Sequence, residues 1–177
     1  MMTDGIETTL EQLLDAREQR AVKQKKLIGR FMLPLVSFTV NIPGACKKTP
    51  ASSSIFREGC SALMKKLDET GSSLVYSESY EPDTGHEAYF VVNTDAQMLK
   101  AYTLQLENQH PLGRLFDFDV IERDGNAVSR EDLGYTKRKC LLCEQAAHIC
   151  GRSGRHRTEE LIKEIQSIVD AYFRIIP

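Results

Sequence analysis

His110-Pro111-Leu112-Gly113-Arg114-Leu115-Phe116-Asp117-Phe118-Asp119-Val120 is the stretch on which the reading of this chain turns. Side chains on a β-strand alternate faces, so Phe116, Phe118 and Val120 fall on one side and Asp117 and Asp119 on the other. Two carboxylates on one strand face repel each other unless a cation lies between them, and hard oxygen ligands suit Mg²⁺. Just upstream, Gly113 permits close backbone approach and Arg114 offers a planar fork for phosphate. Glycine, arginine and Asp-x-Asp on a strand point to metal-assisted phosphoryl or nucleotidyl transfer. The plainer alternative is a solvated strand edge.

Working outward, Asp95 reads as the cap of a helix carrying Leu99, Tyr102, Thr103 and Leu106, which Pro111 stops. That helix delivers Glu107 and His110 to the mouth of the strand. On the other side, Arg123-Asp124-Gly125-Asn126 turns the chain into a short partner strand near Ala127–Ser129. Leu35–Val40, closed by Pro43-Gly44, reads as a buried strand. Leu74–Tyr80 and Glu87–Val92 read as a hairpin, with His86 at its turn facing solvent. A helix capped by Ser52–Ser54 carries Phe56, Cys60, Leu63, Met64 and Leu67 at core spacing. Thr8 or Thr9 caps a first helix to about Ile28, with Leu10, Leu13, Leu14 and Ala21 on one face and Arg17, Arg20, Lys23, Lys25 and Lys26 on the other. Thr158 starts the last helix. Strands interleaved with amphipathic helices predict a single α+β (α/β-like) domain over 1–177, a mixed β-sheet with flanking helices.

A chain of 177 residues, 41% hydrophobic and 27% charged, is of ordinary globular size and composition. Its net charge of −2 gives no reason to expect nucleic acid or a membrane as partner. The distribution is less even: residues 137–157 hold six basic residues against Glu144 alone. Arg152, Arg155 and Arg157 flank Gly151 and Gly154 just before a helix start, an anion-seeking arrangement that joins Arg138 and Arg17 as candidates for phosphate. Five cysteines, an acidic N-terminus without an apolar leader and no long apolar run lead us to expect reduced thiols and a cytoplasmic protein.

From about 137 the chain reads as a Cys- and Arg-rich helical part. Cys140-x-x-Cys143 with Cys150 and His156 supplies a set of zinc ligands, His148 being a substitute. On a helix Cys143, Ala147 and Cys150 make a stripe of small apolar side chains, and that stripe is the reading we favour over zinc. P-loop, HExxH and GxSxG motifs are absent.

Taken together, Leu35-Val36-Ser37-Phe38-Thr39-Val40 with Pro43-Gly44, His110–Leu115 with Asp117-x-Asp119-Val120, and Cys140-Leu141-Leu142-Cys143-Glu144-Gln145 with Cys150, Arg152 and His156 resemble the citrate lyase holo-acyl-carrier-protein synthases. The likeness runs in the same order along nearly the whole chain. It implies a nucleotidyltransferase-like fold and a nucleotidyltransferase reaction. Phosphoribosyl-dephospho-CoA would pass from triphosphoribosyl-dephospho-CoA to a serine of the citrate lyase acyl carrier protein (the gamma subunit), and pyrophosphate would leave. General nucleotidyltransferases place a helical insert between the glycine and the aspartates, whereas here Gly113 lies four residues before Asp117.

On this resemblance Asp117 and Asp119 hold Mg²⁺ on the donor's phosphates, and Gly113, Arg114, Arg138 and the loop arginines meet phosphate. Glu107 is a further metal ligand or the base for the incoming serine. His110 takes that proton or orders the turn before Pro111. Two rivals stay open: a zinc-stabilised module docking an acidic partner, and a related transferase serving another carrier protein, such as that of malonate decarboxylase.

Overall fold

The computed structural model describes residues 5–175, so the first four and last two residues of the expected domain lie outside the described ones. Reciprocal caps start the first two helices. Thr9 accepts from Gln12 N–H while the Gln12 side chain accepts from Thr9 N–H, opening α1 (Leu10–Phe31). Thr49 and Ser52 do the same for α2 (Pro50–Glu69), with Pro50 at its first position. The second helix therefore begins before the serines expected to cap it. Between these helices runs β1 (Leu35–Val40); β2 (Ser73–Tyr80), β3 (Glu87–Asn93), α3 (Ala96–Gln109), β4 (Phe116–Ile121), β5 (Ala127–Val128), α4 (Ala147–Ser153) and α5 (Thr158–Ile175) follow.

The strands lie in the order β2-β3-β1-β4-β5. Every pairing among the described residues is antiparallel, which corrects the expectation of a mixed sheet. The crossovers explain it. The α2 connection carries the chain from β1 past one strand position to β2, and the β2–β3 hairpin fills the gap. The α3 connection likewise takes β3 over β1 to β4. Parallel relations thus fall between strands that are not neighbours, and each neighbouring pair runs antiparallel.

Phe38, Phe116, Phe118 and Val120 pack with Ile55, Leu63, Leu99 and Ile165, forming the main core between the sheet and α2, α3 and α5. The reverse face packs against α1, where Leu27 and Ile28 meet Leu35, Tyr89, Val91 and Ile121 and make the apolar contacts. Leu10, Leu14 and Ala21 are exposed, so the apolar face expected along α1 is not what seats it. The remainder of that face is polar.

Candidate active site

Three strands meet side by side beneath and beside α1. Asp117 stands opposite Thr39, which stands opposite Glu87; one step along, Asp119 faces Ser37, which faces Tyr89. Strand alternation alone puts these side chains on the side away from the phenylalanine core. The Arg20 guanidinium of α1 ties the helix to this floor, donating to Glu87 Oε1 at 2.7 Å, while Glu87 Oε2 accepts from Tyr89 Oη at 2.7 Å. Gln24 donates to Ser37 Oγ at 3.0 Å. Asp119 stays open to solvent, yet the protein around its carboxyl and the Asp117 charge push it up to about 6. Loss of hydration first, and the neighbouring Asp117 charge second, disfavour the ionised form of Asp119.

A groove leads from Asp117 along the underside of α1. Arg17, Arg20, Lys47, Asn41, Thr84 and His86 contribute to its walls. Lys47 is half-buried, its Nζ donating to the Ile42 carbonyl, and burial together with Arg17 lowers its pKa. His86 was expected in solvent but is only 2% exposed. Its ring stacks on Phe56 at 5.0 Å, and its Nε2 lies 3.1 Å from Ser53 Oγ and 3.3 Å from Ser52 Oγ. The apolar cover from α2 outweighs the polarity that the turn residues suggested. Of the residues named from the sequence, this groove gathers Asp117 and Arg17, with Asp119 one strand step away. Lys47 and His86 were missed as site residues because only the tertiary fold brings their loops against α1.

The other proposed residues lie behind or beside the carboxylates. Two-residue β5 leaves part of the β4 edge unpaired, and side chains complete its hydrogen bonds. Phe118 N–H donates to Glu107 Oε1 at 3.1 Å, Lys100 Nζ donates to the Phe118 carbonyl at 3.0 Å, and Arg138 donates to the Phe116 carbonyl at 2.9 Å. Glu107, 5% exposed, uses its second oxygen for Arg130 at 2.6 Å and Arg138 at 2.9 Å. Arg138 also reaches to 3.8 Å of Asp117 Oδ1, linking this buried network to the open face. Gly113 makes its close approach to helix α3: an added Cβ would lie 2.3 Å from the Leu106 carbonyl oxygen. His110 accepts from Leu112 N–H at 3.1 Å and packs on Phe116 and Tyr172, on the core side of the sheet.

Residues 140–146 are not helical, contrary to expectation; only Ala147–Ser153 is. Lys139 and Ala146 form an isolated antiparallel bridge, and Cys140 N–H donates to the Gln145 carbonyl at 2.6 Å. These bonds satisfy the backbone in a tight knuckle, so the helical stripe of small residues does not form. Instead the ligand atoms of Cys140, Cys143, Cys150 and His156 all fall within 4.8 Å of one another, an arrangement able to hold a metal ion. Arg114 donates to the Lys139 and Cys140 carbonyls at 2.8 and 3.1 Å. Arg152, Arg155 and Arg157 are exposed, and among the described residues their one ion pair is Arg157 with Glu160 at 3.9 Å. No described helix is long and apolar enough to cross a membrane.

The class is an α+β protein with a five-stranded antiparallel sheet, one face closed by helices and the other carrying paired carboxylates beside a cationic groove. Within that class the particular family is shown by comparison. Residues 8–172 match the model of the apo-citrate lyase phosphoribosyl-dephospho-CoA transferases, and the chain belongs to that family. A protein of Vibrio cholerae serotype O1 (strain M66-2), described as a probable apo-citrate lyase phosphoribosyl-dephospho-CoA transferase, is 41% identical over 168 residues, 94% of either chain. A transferase of the same description from Citrobacter koseri is 35% identical over 91% of this chain and 88% of its own. One from Escherichia coli O1:K1 / APEC is 34% identical over 92% and 88%.

Proposed function

We propose that this protein transfers phosphoribosyl-dephospho-CoA from triphosphoribosyl-dephospho-CoA to a serine of the citrate lyase acyl carrier protein, the gamma subunit. The serine oxygen bonds to the phosphorus nearest the ribose and gives up its proton to solvent, that phosphorus loses its bond to the bridging oxygen, and pyrophosphate departs with the electron pair. One observation carries the reading beyond family membership: Asp117 and Asp119 face the same open side of the sheet as a groove bearing Arg17 and Lys47. Asp117 and Asp119 would hold Mg²⁺, which supplies charge neutralisation on the donor's phosphates. Arg17 and Lys47 add fixed positive charge along the groove where a polyphosphate would lie.

The remaining residues act by placing these groups. Glu107 has both oxygens engaged, so we assign it to holding β4 and Arg138 in position rather than to metal binding or proton transfer. His110, bonded to the Leu112 N–H, orders the turn that leads into β4. Gly113 allows that turn to sit on α3, and Arg114 joins it to the cysteine segment. A nucleotidyltransferase ancestry agrees with the spacing of the aspartates, and cytoplasmic residence agrees with the free thiols.

The test is incubation with apo-carrier protein, donor and Mg²⁺, followed by intact-mass measurement. The carrier should gain the mass of phosphoribosyl-dephospho-CoA, and a carrier lacking the acceptor serine should gain nothing. An unmodified citrate lyase carrier would overturn the proposal; modification of the malonate decarboxylase carrier instead would reassign the partner.

A further inference from the structure

The cysteine knuckle carries an inference that stands apart from the transferase reaction. We propose that Cys140, Cys143, Cys150 and His156 bind one structural Zn²⁺, which fixes the segment holding Arg114 and Arg138 against the start of β4.

Four groups of the right kind converge from seventeen residues of chain. Cys143 Sγ and Cys150 Sγ lie 3.5 Å apart, and His156 Nε2 lies 3.3 Å from Cys143 Sγ. A tetrahedral zinc, with Zn–S about 2.3 Å and Zn–N about 2.0 Å, separates its ligand atoms by roughly 3.5–3.8 Å, so little movement is needed. Cys140 and Cys150 are buried, and none of Cys140, Cys143 and Cys150 is in a disulfide. Thiolate and imidazole ligands in this number select zinc over magnesium or calcium. Four protein ligands fill a tetrahedral shell, which marks a structural rather than a catalytic ion.

The surroundings agree in charge. Three thiolates and one Zn²⁺ leave a net charge of −1, and Lys139, Arg152, Arg155 and Arg157 provide nearby positive charge. They also agree in connection. The Arg114 guanidinium grips the Lys139 and Cys140 carbonyls, and Arg138, two residues before the first cysteine, grips the Phe116 carbonyl and approaches Asp117. An ion that fixes Cys140 thereby fixes both arginines, and through them the strand that carries the carboxylates.

The experiment is metal analysis of full-length protein purified without added metal. It should contain about one zinc per chain, released in step with mercurial titration of the thiols. Replacing the zinc with Co²⁺ should produce the intense sulfur-to-cobalt absorption of a tetrahedral thiolate site. Cys143→Ser should lose the metal and Cys60→Ser should keep it. Should Cys143→Ser fail to fold, the release of zinc from the parent protein still decides. Folded, zinc-free parent protein whose melting is unchanged by chelator or added zinc would overturn the proposal. So would a Cys143–Cys150 disulfide, seen as the loss of two hydrogens in the intact mass.

Discussion

The two faces of the sheet use the same strands for opposite ends. On one face, Phe38, Phe116 and Phe118 are sealed by three helices, with Phe38 and Phe118 stacked at 4.3 Å. On the other, the intervening residues are polar: α1 buries Ser37 through Gln24, Thr39 and Asp117 are half-buried, and Asp119 is exposed. The first face gains free energy by excluding water. The second holds the Asp119 carboxyl against protein and beside the Asp117 charge, and both raise its pKa. Stability and chemistry are thereby divided between alternate residues of one strand, which gives neighbouring positions opposite mutational signatures.

Residues 118 and 119 offer the sharpest way to break that contrast. Phe118→Ala should cost about 3–5 kcal/mol in denaturant titration, the usual toll for a buried aromatic. Asp119→Asn and Asp117→Asn should lower transfer by roughly 10³-fold, a metal contribution of several kcal/mol, while the fold survives. The aspartate variants should melt at or above the parent temperature in the absence of divalent cation, since neutralising either one relieves their repulsion. Mg²⁺ should raise the melting temperature of the parent more than that of either variant, because ligand binding to the native state sets the gain. Full transfer activity in either aspartate variant would dissolve the distinction between the faces.

How much of this was readable beforehand follows from the kind of signal each part emits. The alternation Phe116-Asp117-Phe118-Asp119-Val120 is a local period of two, so the carboxylate face and the core face were both legible. Strand neighbours leave no such mark, and the antiparallel order emerges only from where α2 and α3 cross. Helix α1 has apolar spacing at Leu10, Leu13, Leu14 and Ala21, whereas Leu27 and Ile28 in its last turns are the residues it buries. In the cysteine segment, the spacing of Cys143, Ala147 and Cys150 imitates a helical stripe. The bonds that forbid the helix, from Lys139–Ala146 and Cys140–Gln145, carry no periodicity at all.

A medium-sized effect should separate the groove from the cysteine side. Arg17→Ala removes a groove cation beside the carboxylates and should raise the KM for donor about tenfold, near 1.4 kcal/mol, with kcat changed less. Replacing Arg152, Arg155 and Arg157 together by Ala should also raise the donor KM rather than slow chemistry, but only about two- to threefold, because these side chains lie outside the groove that Arg17 shares with Asp117. Stability should move by less than about 0.5 kcal/mol in both cases. A larger KM effect from the loop variant than from Arg17→Ala would move the phosphate site from the α1 groove to the cysteine side.

The smallest effect lies at the seam between the faces, where His86 stacks on Phe56 of the core while lining the groove. Burial holds its imidazole below the ordinary 6.5, Lys48 and Arg57 push the same way, and Glu81 only partly opposes them. The unfolded chain therefore binds the proton more readily than the folded one. Stability contributed by neutral His86 is fully present above pH 6.5 and is lost as pH falls through the folded value. Asp119 works in the opposite direction, since its raised pKa makes the folded state the better proton acceptor between its ordinary 3.8 and about 6. The two trends partly cancel in the parent, so the difference between variant and parent is the informative quantity. His86→Phe keeps the stacking, and Ser52 and Ser53 retain their bonds to the Thr49 carbonyl, so stability near pH 8 should change little. Between pH 6.5 and 5, however, the variant should gain on the parent steadily as acid is added. Chemical denaturation across that range measures it, and parallel curves for parent and variant would show that His86 titrates as freely in the fold as outside it.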